Sequence, residues 1–78
     1  MLTCFLHIRD GSGLILDEEG AEFPDIAAAC AEAQESACEL AIEQTKGGPL
    51  ADGAAVELTD TDGNILLTVP LRMFLTRH

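Results

Sequence analysis

The stretch from Asp25 to Gln44 constrains this chain more than any other, because it alone is long and periodic enough for an extended helix. Apolar or small residues recur at Ile26, Ala29, Cys30, Ala33, Ala37, Leu40 and Ala41, the i, i+3, i+4, i+7 spacing of one helical face. Pro24 breaks whatever precedes the stretch. Asp25 is suited to the N-cap, where its carboxylate accepts first-turn amide hydrogens and meets the positive end of the helix dipole. Lys46 falls at the negative end, and Gly47-Gly48 offers the left-handed residue that closes a helix. Alanine, the strongest helix former, is abundant throughout.

At about 100° per residue, Ile26, Cys30, Ala33, Ala37, Leu40 and Ala41 share one side, and their small size lets the helix lie close to a sheet. Glu32, Glu35, Glu39 and Glu43 form an acidic stripe roughly opposite. A thinner apolar strip, Ala27, Ala31, Cys38 and Ile42, lies between them and can seat a second subunit. Glu35, Glu39 and Glu43 repel at i, i+4 spacing, by roughly 0.2–0.5 kcal/mol per pair. A solvated face accounts for such a stripe, and a docking surface for a basic partner is the functional alternative.

Strands flank the helix. Leu2, Cys4, Leu6 and Ile8 alternate with Thr3, Phe5, His7 and Arg9, and since both sets carry apolar residues the strand is expected to be central, with Phe5 facing away from the helix. Asp10-Gly11-Ser12-Gly13 turns the chain, and Leu14 to Asp17 returns as a second strand. Glu18-Glu19-Gly20 turns again, and Ala21 to Pro24 is an extended lead-in in which Phe23 anchors the helix entry. After a Gly- and Pro-rich loop over residues 47–53, Ala55 to Thr59 and Ile65 to Val69 form a second hairpin around Asp60-Thr61-Asp62-Gly63-Asn64. From Pro70 the chain either makes one helical turn, with Leu71, Phe74 and Leu75 on one side, or continues extended. The expected fold is α+β: two β-hairpins around one helix (ββαββ), a four-stranded antiparallel sheet with the helix on one face, residues 1–78 forming a single domain.

Composition narrows the function classes. Fourteen acids face four Lys or Arg, for a net charge of −10. Phosphate backbones and anionic membranes are bound by clustered cations, so direct nucleic-acid and membrane binding are not expected. Nine acids and no cation lie between Asp17 and Glu43, whereas Leu67 to His78 carries Arg72 and Arg77 and no acid. A chain of this size buries only about 60% of its unfolded surface. With no Trp or Tyr and three Phe, its core is thin and aliphatic, and dimerisation is a common remedy. Three Cys without framework spacing, and no signal-peptide pattern or membrane-length apolar run, point to reduced thiols in a cytoplasm.

Three constellations invite chemistry. Cys4, Cys30, Cys38 and His7 are zinc-ligand types, but Cys30 and Cys38 are too far apart for a close ligand pair, and Cys4 and His7 point to opposite faces of a strand. Asp60, Asp62 and Asn64 begin like a calcium loop, yet Gly63 comes too early and Leu71 stands where the closing Glu belongs. His7, Asp10 and Ser12 suggest a triad, but a hairpin by itself builds no oxyanion hole. Core thiols and turn formers account for all three, so no metal, cofactor or catalytic residue is expected. The remaining candidates are partner-binding. Phe5, His7 and Arg9 share a strand face able to pair with a twin or take a carboxylate. Glu32, Glu35, Glu39, Ile42 and Glu43 present the outer helix. Arg72 and Arg77 can reach the acidic helix of another copy.

His7-Ile8-Arg9-Asp10-Gly11 at the first strand's end, Asp17-Glu18-Glu19-Gly20, Phe23-Pro24-Asp25-Ile26-Ala27-Ala28-Ala29 at the helix start and Leu67-Thr68-Val69-Pro70 together resemble a family of small bacterial proteins classed as a domain of unknown function. The likeness spans most of the chain and implies a small bacterial cytoplasmic protein, with no activity attached. The family often has an aromatic where Cys4 and Leu6 stand and a basic residue near Cys30. The first half is also similar in pattern to HicB-type antitoxins, with a hairpin, a Pro-containing lead-in and an amphipathic helix, which implies neutralisation of a small basic ribonuclease. The expectation is a non-enzymatic interaction module, a homodimer. The alternatives are an antitoxin-like neutraliser of a basic protein and a small enzyme or metal-binding protein.

Overall fold

In a computed structural model that describes residues 1–11, 13–48 and 52–74, the chain runs β1 (Leu2–Asp10), β2 (Gly13–Ile15), β3 (Ala21–Phe23), α1 (Ile26–Thr45), β4 (Ala55–Thr59), β5 (Ile65–Pro70) and a 3-10 turn (Leu71–Phe74). The expectations for Ser12, for residues 49–51, for Leu75 and for Arg77 lie outside the described residues. The fold is α+β, with one helix packed against an antiparallel sheet built from paired hairpins. The strand order is β2-β1-β4-β5, and β1 is central as expected.

Beyond shifts of one residue at strand ends, the strands depart from expectation in two places. Ala21 to Phe23 is not merely a lead-in: it pairs with Leu2–Cys4 as β3, end to end with β2, which pairs with Ile8–Asp10 along the same edge of β1. The sheet is therefore four strands wide but made of five. The second strand stops at Ile15 rather than Asp17 because side chains replace the ladder there. Asp17 lies opposite Leu6, and its carboxylate Oδ2 accepts the Leu6 N–H at 3.1 Å, while its own N–H donates to His7 Nδ1 at 3.0 Å. Those two bonds occupy groups that a continued strand would have used.

Alternation assigns the faces. Leu6 and Ile8 of β1 stand level with Leu58 and Val56 of β4, which in turn meet Leu67 and Val69 of β5, and Cys4, paired with Ala21 of β3, shares their pleat. This is the face under α1. Val56 and Leu58 are fully buried, and Cys4 and Val69 nearly so. The helix contributes a row of four alanines, Ala29, Ala33, Ala37 and Ala41, none more than 1% exposed. That strict i+4 row is narrower than the expected stripe. Ile26 is 46% exposed, and Cys30 and Leu40 pack only at the margin. Four stacked methyl groups let the helix axis approach the sheet, and larger side chains are displaced to the flanks.

The helix ends follow the sequence. Asp25 caps the first turn, its Oδ1 accepting the Ala28 N–H at 2.8 Å. At the other end Gly48 takes φ +133°, a conformation that glycine alone adopts readily. Beyond β5 the chain takes the helical-turn alternative. The Leu71 N–H donates to the Ala54 carbonyl at 3.0 Å, and the Leu71 side chain is fully buried in the core.

Candidate functional site

The face of the sheet away from α1 is where the sequence-derived candidates meet. Phe5, His7 and Arg9 of β1 stand level with Thr59, Glu57 and Ala55 of β4, and β5 adds Thr68 and Pro70 opposite Glu57 and Ala55. Leu14 pairs with Arg9 and so joins this face. Leu16 follows two residues on and borders the same surface as Phe5 and His7. Leu14 and Leu16 are 40% and 58% exposed.

Polar groups on this face are tied to one another. The Arg9 Nε donates to Glu57 Oε2 at 2.8 Å, with the Glu57 side chain 10% and the Arg9 side chain 47% exposed. Burial of Glu57 in the central strand demands such a partner. The Arg9 Nε is thus engaged within the chain, while its side chain stays 47% exposed. His7 accepts the Asp17 N–H at Nδ1, which assigns the ring proton of the neutral form to Nε2, 3.2 Å from Thr59 Oγ1. The His7 ring also stacks on Phe5, centroids 6.2 Å apart and planes 19° apart.

Asp17 knots the break between β2 and β3. Its Oδ1 accepts the N–H groups of Glu19 at 3.2 Å and Gly20 at 3.1 Å, and its Oδ2 takes Leu6. Burial pushes the Asp17 carboxyl up, but these three amide hydrogens, with the nearby His7, outweigh it and hold the group below its ordinary value of 3.8. The knot requires Gly20. Its φ is +73°, and a Cβ there would sit 2.8 Å from Phe5 Cε2 and 3.1 Å from the Cys4 carbonyl oxygen. Between this knot and the β4–β5 turn lies an open, shallow depression of ≈ 400 Å³ whose wall includes Phe5, His7, Leu16, Asp17, Thr59 and Asp60.

The β4–β5 turn closes on Asp60. Its Oδ1 accepts the N–H groups of Asp62 and Asn64, each at 2.9 Å, and its Oδ2 the Asn64 side-chain amide at 3.1 Å. These bonds, the backbone and side chain of Asn64 foremost, lower the Asp60 pKa. The calcium-like spacing is thus the spacing of an Asx turn. Cys4 is buried beneath α1, while Cys30 and Cys38 are half-buried on the helix, and all three are free thiols. Among the described residues, no three His, Cys, Asp or Glu side chains gather in a metal-holding group.

The remaining candidates lie elsewhere. Glu32, Glu35, Glu39 and Glu43 are exposed along α1, Ile42 is 56% exposed beside them, and Arg72 is exposed on the 3-10 turn. None of these joins the sheet face. Sequence reading missed Leu14, Leu16, Asp17, Glu57 and Thr59. Glu57 had a signal: it is the one charge inside Ala55-Val56-Glu57-Leu58-Thr59, and a strand interior holds a charge only with a partner.

The fold and this face define a class, a small α+β domain whose single helix roofs one side of an antiparallel sheet. Within it, residues 3–72 match the model of a family described as a domain of unknown function, DUF6894, and the chain belongs to that family. No curated protein and no solved structure matches the chain. No helix among the described residues is long and apolar enough to cross a membrane.

Proposed function

We propose that this domain is a non-catalytic protein-interaction module of the bacterial cytoplasm that associates with a second copy of itself. One observation carries the reading: the helix covers one side of the sheet, and the other side is left with Leu14 and Leu16 well exposed beside the Phe5–His7 stack. A domain this small gains most from covering such a surface. The depression on this face is shallow and its polar groups are spent on each other, which suits contact with a protein better than enclosure of a substrate. Three free thiols accord with a reducing compartment.

Light scattering over a concentration series, at low and high salt, tests the reading. A species of twice the 8.3 kDa chain mass that persists in high salt supports an apolar contact. A dimer that dissolves in salt points to cationic residues such as Arg72 on a neighbour's acidic helix, and a monomer at every concentration removes the reading. A second reading rests on the exposed row Glu32, Glu35, Glu39 and Glu43, for which no ion pair is found among the described residues. Here α1 docks a basic protein, in the manner of an antitoxin. Recovery of a basic partner with the wild-type chain but not with Glu35→Lys/Glu39→Lys is its test.

A further inference from the structure

Both sheet edges are guarded. On one side β2 and β3 are three residues each, separated by the Asp17 knot, and short edge strands make poor templates. On the other, β5 carries a bulge: Ile65 pairs with Thr59 and Leu67 with Leu58, so Leu66 is the extra residue. The phase of the ladder narrows what remains of that edge. The Leu71 N–H points inward to Ala54, so by alternation position 70 points outward, and Pro70 has no N–H to offer there. Thr68 alone keeps an outward N–H on the regular part of β5, so edge-to-edge pairing is disfavoured on both sides. The outer helix is blocked differently, because two copies of the Glu32–Glu43 stripe repel.

The open face has none of these obstacles, and its charge is polarised along the strands. At one end lie Asp17, Glu18 and Asp60, beside the Phe5–Thr59 pair. At the other lies Arg9, level with Ala55 and Pro70; its Nε is paired with Glu57, but Arg9 is 47% exposed and the Glu57 side chain only 10%, so the cation is the charge this end presents. The two ends are four residues apart on β1, about 13 Å. Asp10, next to Arg9, lies on the opposite pleat. Between the ends sit His7 and Leu16, with Leu14 at the Arg9 end and Phe5 at the acidic end. We propose that the open face packs on the same face of a second copy about a two-fold axis running across the strands. This deepens the self-association proposed above by naming its surface and geometry. The axis sets the exposed part of the Arg9 side chain over the partner's acidic end, twice over, while Leu16, midway between the ends, meets its own counterpart at the ordinary sheet-to-sheet spacing. Apolar contact supplies the affinity, and the charged ends supply the orientation.

Three single variants test this, each checked for native circular dichroism and followed by sedimentation velocity. Leu16→Glu adds one charge to the open face, and Ile42→Glu adds the same charge to the helix. The expected result is a dimer dissociation constant raised at least about tenfold by Leu16→Glu and nearly unchanged by Ile42→Glu. Glu18→Arg is the sharper test. It reduces the net charge from −10 to about −8, which by repulsion alone would tighten the dimer; loss of the partner for Arg9 makes it weaken instead. Equal effects of Leu16→Glu and Ile42→Glu, or a tighter dimer with Glu18→Arg, overturn the assignment while self-association stands. A wild-type chain that is monomeric throughout overturns both.

Discussion

Asp17 holds more of the candidate face in place than any other side chain. Its carboxylate bridges Leu6 on β1 to Glu19 and Gly20 in the break, and its N–H orients the His7 ring that stacks on Phe5. An Asn at this position keeps the size but loses the charge that strengthens bonds to amide hydrogens, and its NH2 would face a donor. Asp17→Asn is expected to cost about 1–2 kcal/mol at neutral pH, after allowing for the partial exposure of the site. The pH dependence has a definite sign. The folded carboxyl titrates below its ordinary value of 3.8, so its contribution is complete above that value and is lost as pH falls through the lower folded one. Urea unfolding of both proteins from about pH 7 to about pH 2 should show the gap closing only at the acid end; a gap constant with pH contradicts the assigned role. Little of this knot was legible in the sequence. Asp17 reads as a strand end before a turn, and only the register of β2 on β1 reveals that it stands opposite Leu6 and beside His7. The Phe5, His7 and Arg9 face, by contrast, follows from period-two alternation alone.

Among the elements, α1 was the most legible and also carries the clearest packing constraint. Its caps and its extent follow from Asp25 and Gly47-Gly48, whereas the choice of buried row does not. A helical wheel weights Ile26 and Leu40 by hydrophobicity, but closeness of approach selects Ala29, Ala33, Ala37 and Ala41. The β3 strand was illegible for a different reason. Ala21 to Phe23 is too short for any periodicity, and its partner, Leu2 to Cys4, is remote in sequence. The alanine row yields a prediction that separates tight apposition from mere apolarity. Ala37→Leu adds apolar volume where hydrophobicity alone would favour it, yet Ala37 is fully buried against the sheet. The expected loss is about 1–3 kcal/mol in urea unfolding. Ile42→Ala, on the exposed flank of the same helix, should change stability by less than about 0.5 kcal/mol. A neutral or stabilising Ala37→Leu would mean that the helix sits farther from the sheet than these burials require.

The molecule as a whole carries a charge that its fold does not neutralise. Of the nine acids between Asp17 and Glu43, four line the outer face of α1, where Glu39 stands one turn from both Glu35 and Glu43. The ion pair found among the described residues, Arg9 with Glu57, is on the other side of the sheet. Self-repulsion of this kind destabilises a compact state and is screened by salt, so thermal stability at neutral pH should rise with ionic strength. The helix stripe isolates the source. Glu39→Lys converts two repulsive i, i+4 pairs into attractive ones, worth together about 1 kcal/mol at low salt, which for a domain of this size is about 4–8 °C in melting temperature. Calorimetry at about 10 mM and about 500 mM NaCl should find most of that gain at low salt and little at high salt, where the Debye length falls to a few ångströms. A gain unaffected by salt would trace instead to local packing of the lysine stem, and no gain would mean that the stripe is already relaxed by solvent. The second case would also weaken the reading of α1 as a surface held ready for a basic partner, since that reading needs the four carboxylates to feel one another before a partner arrives.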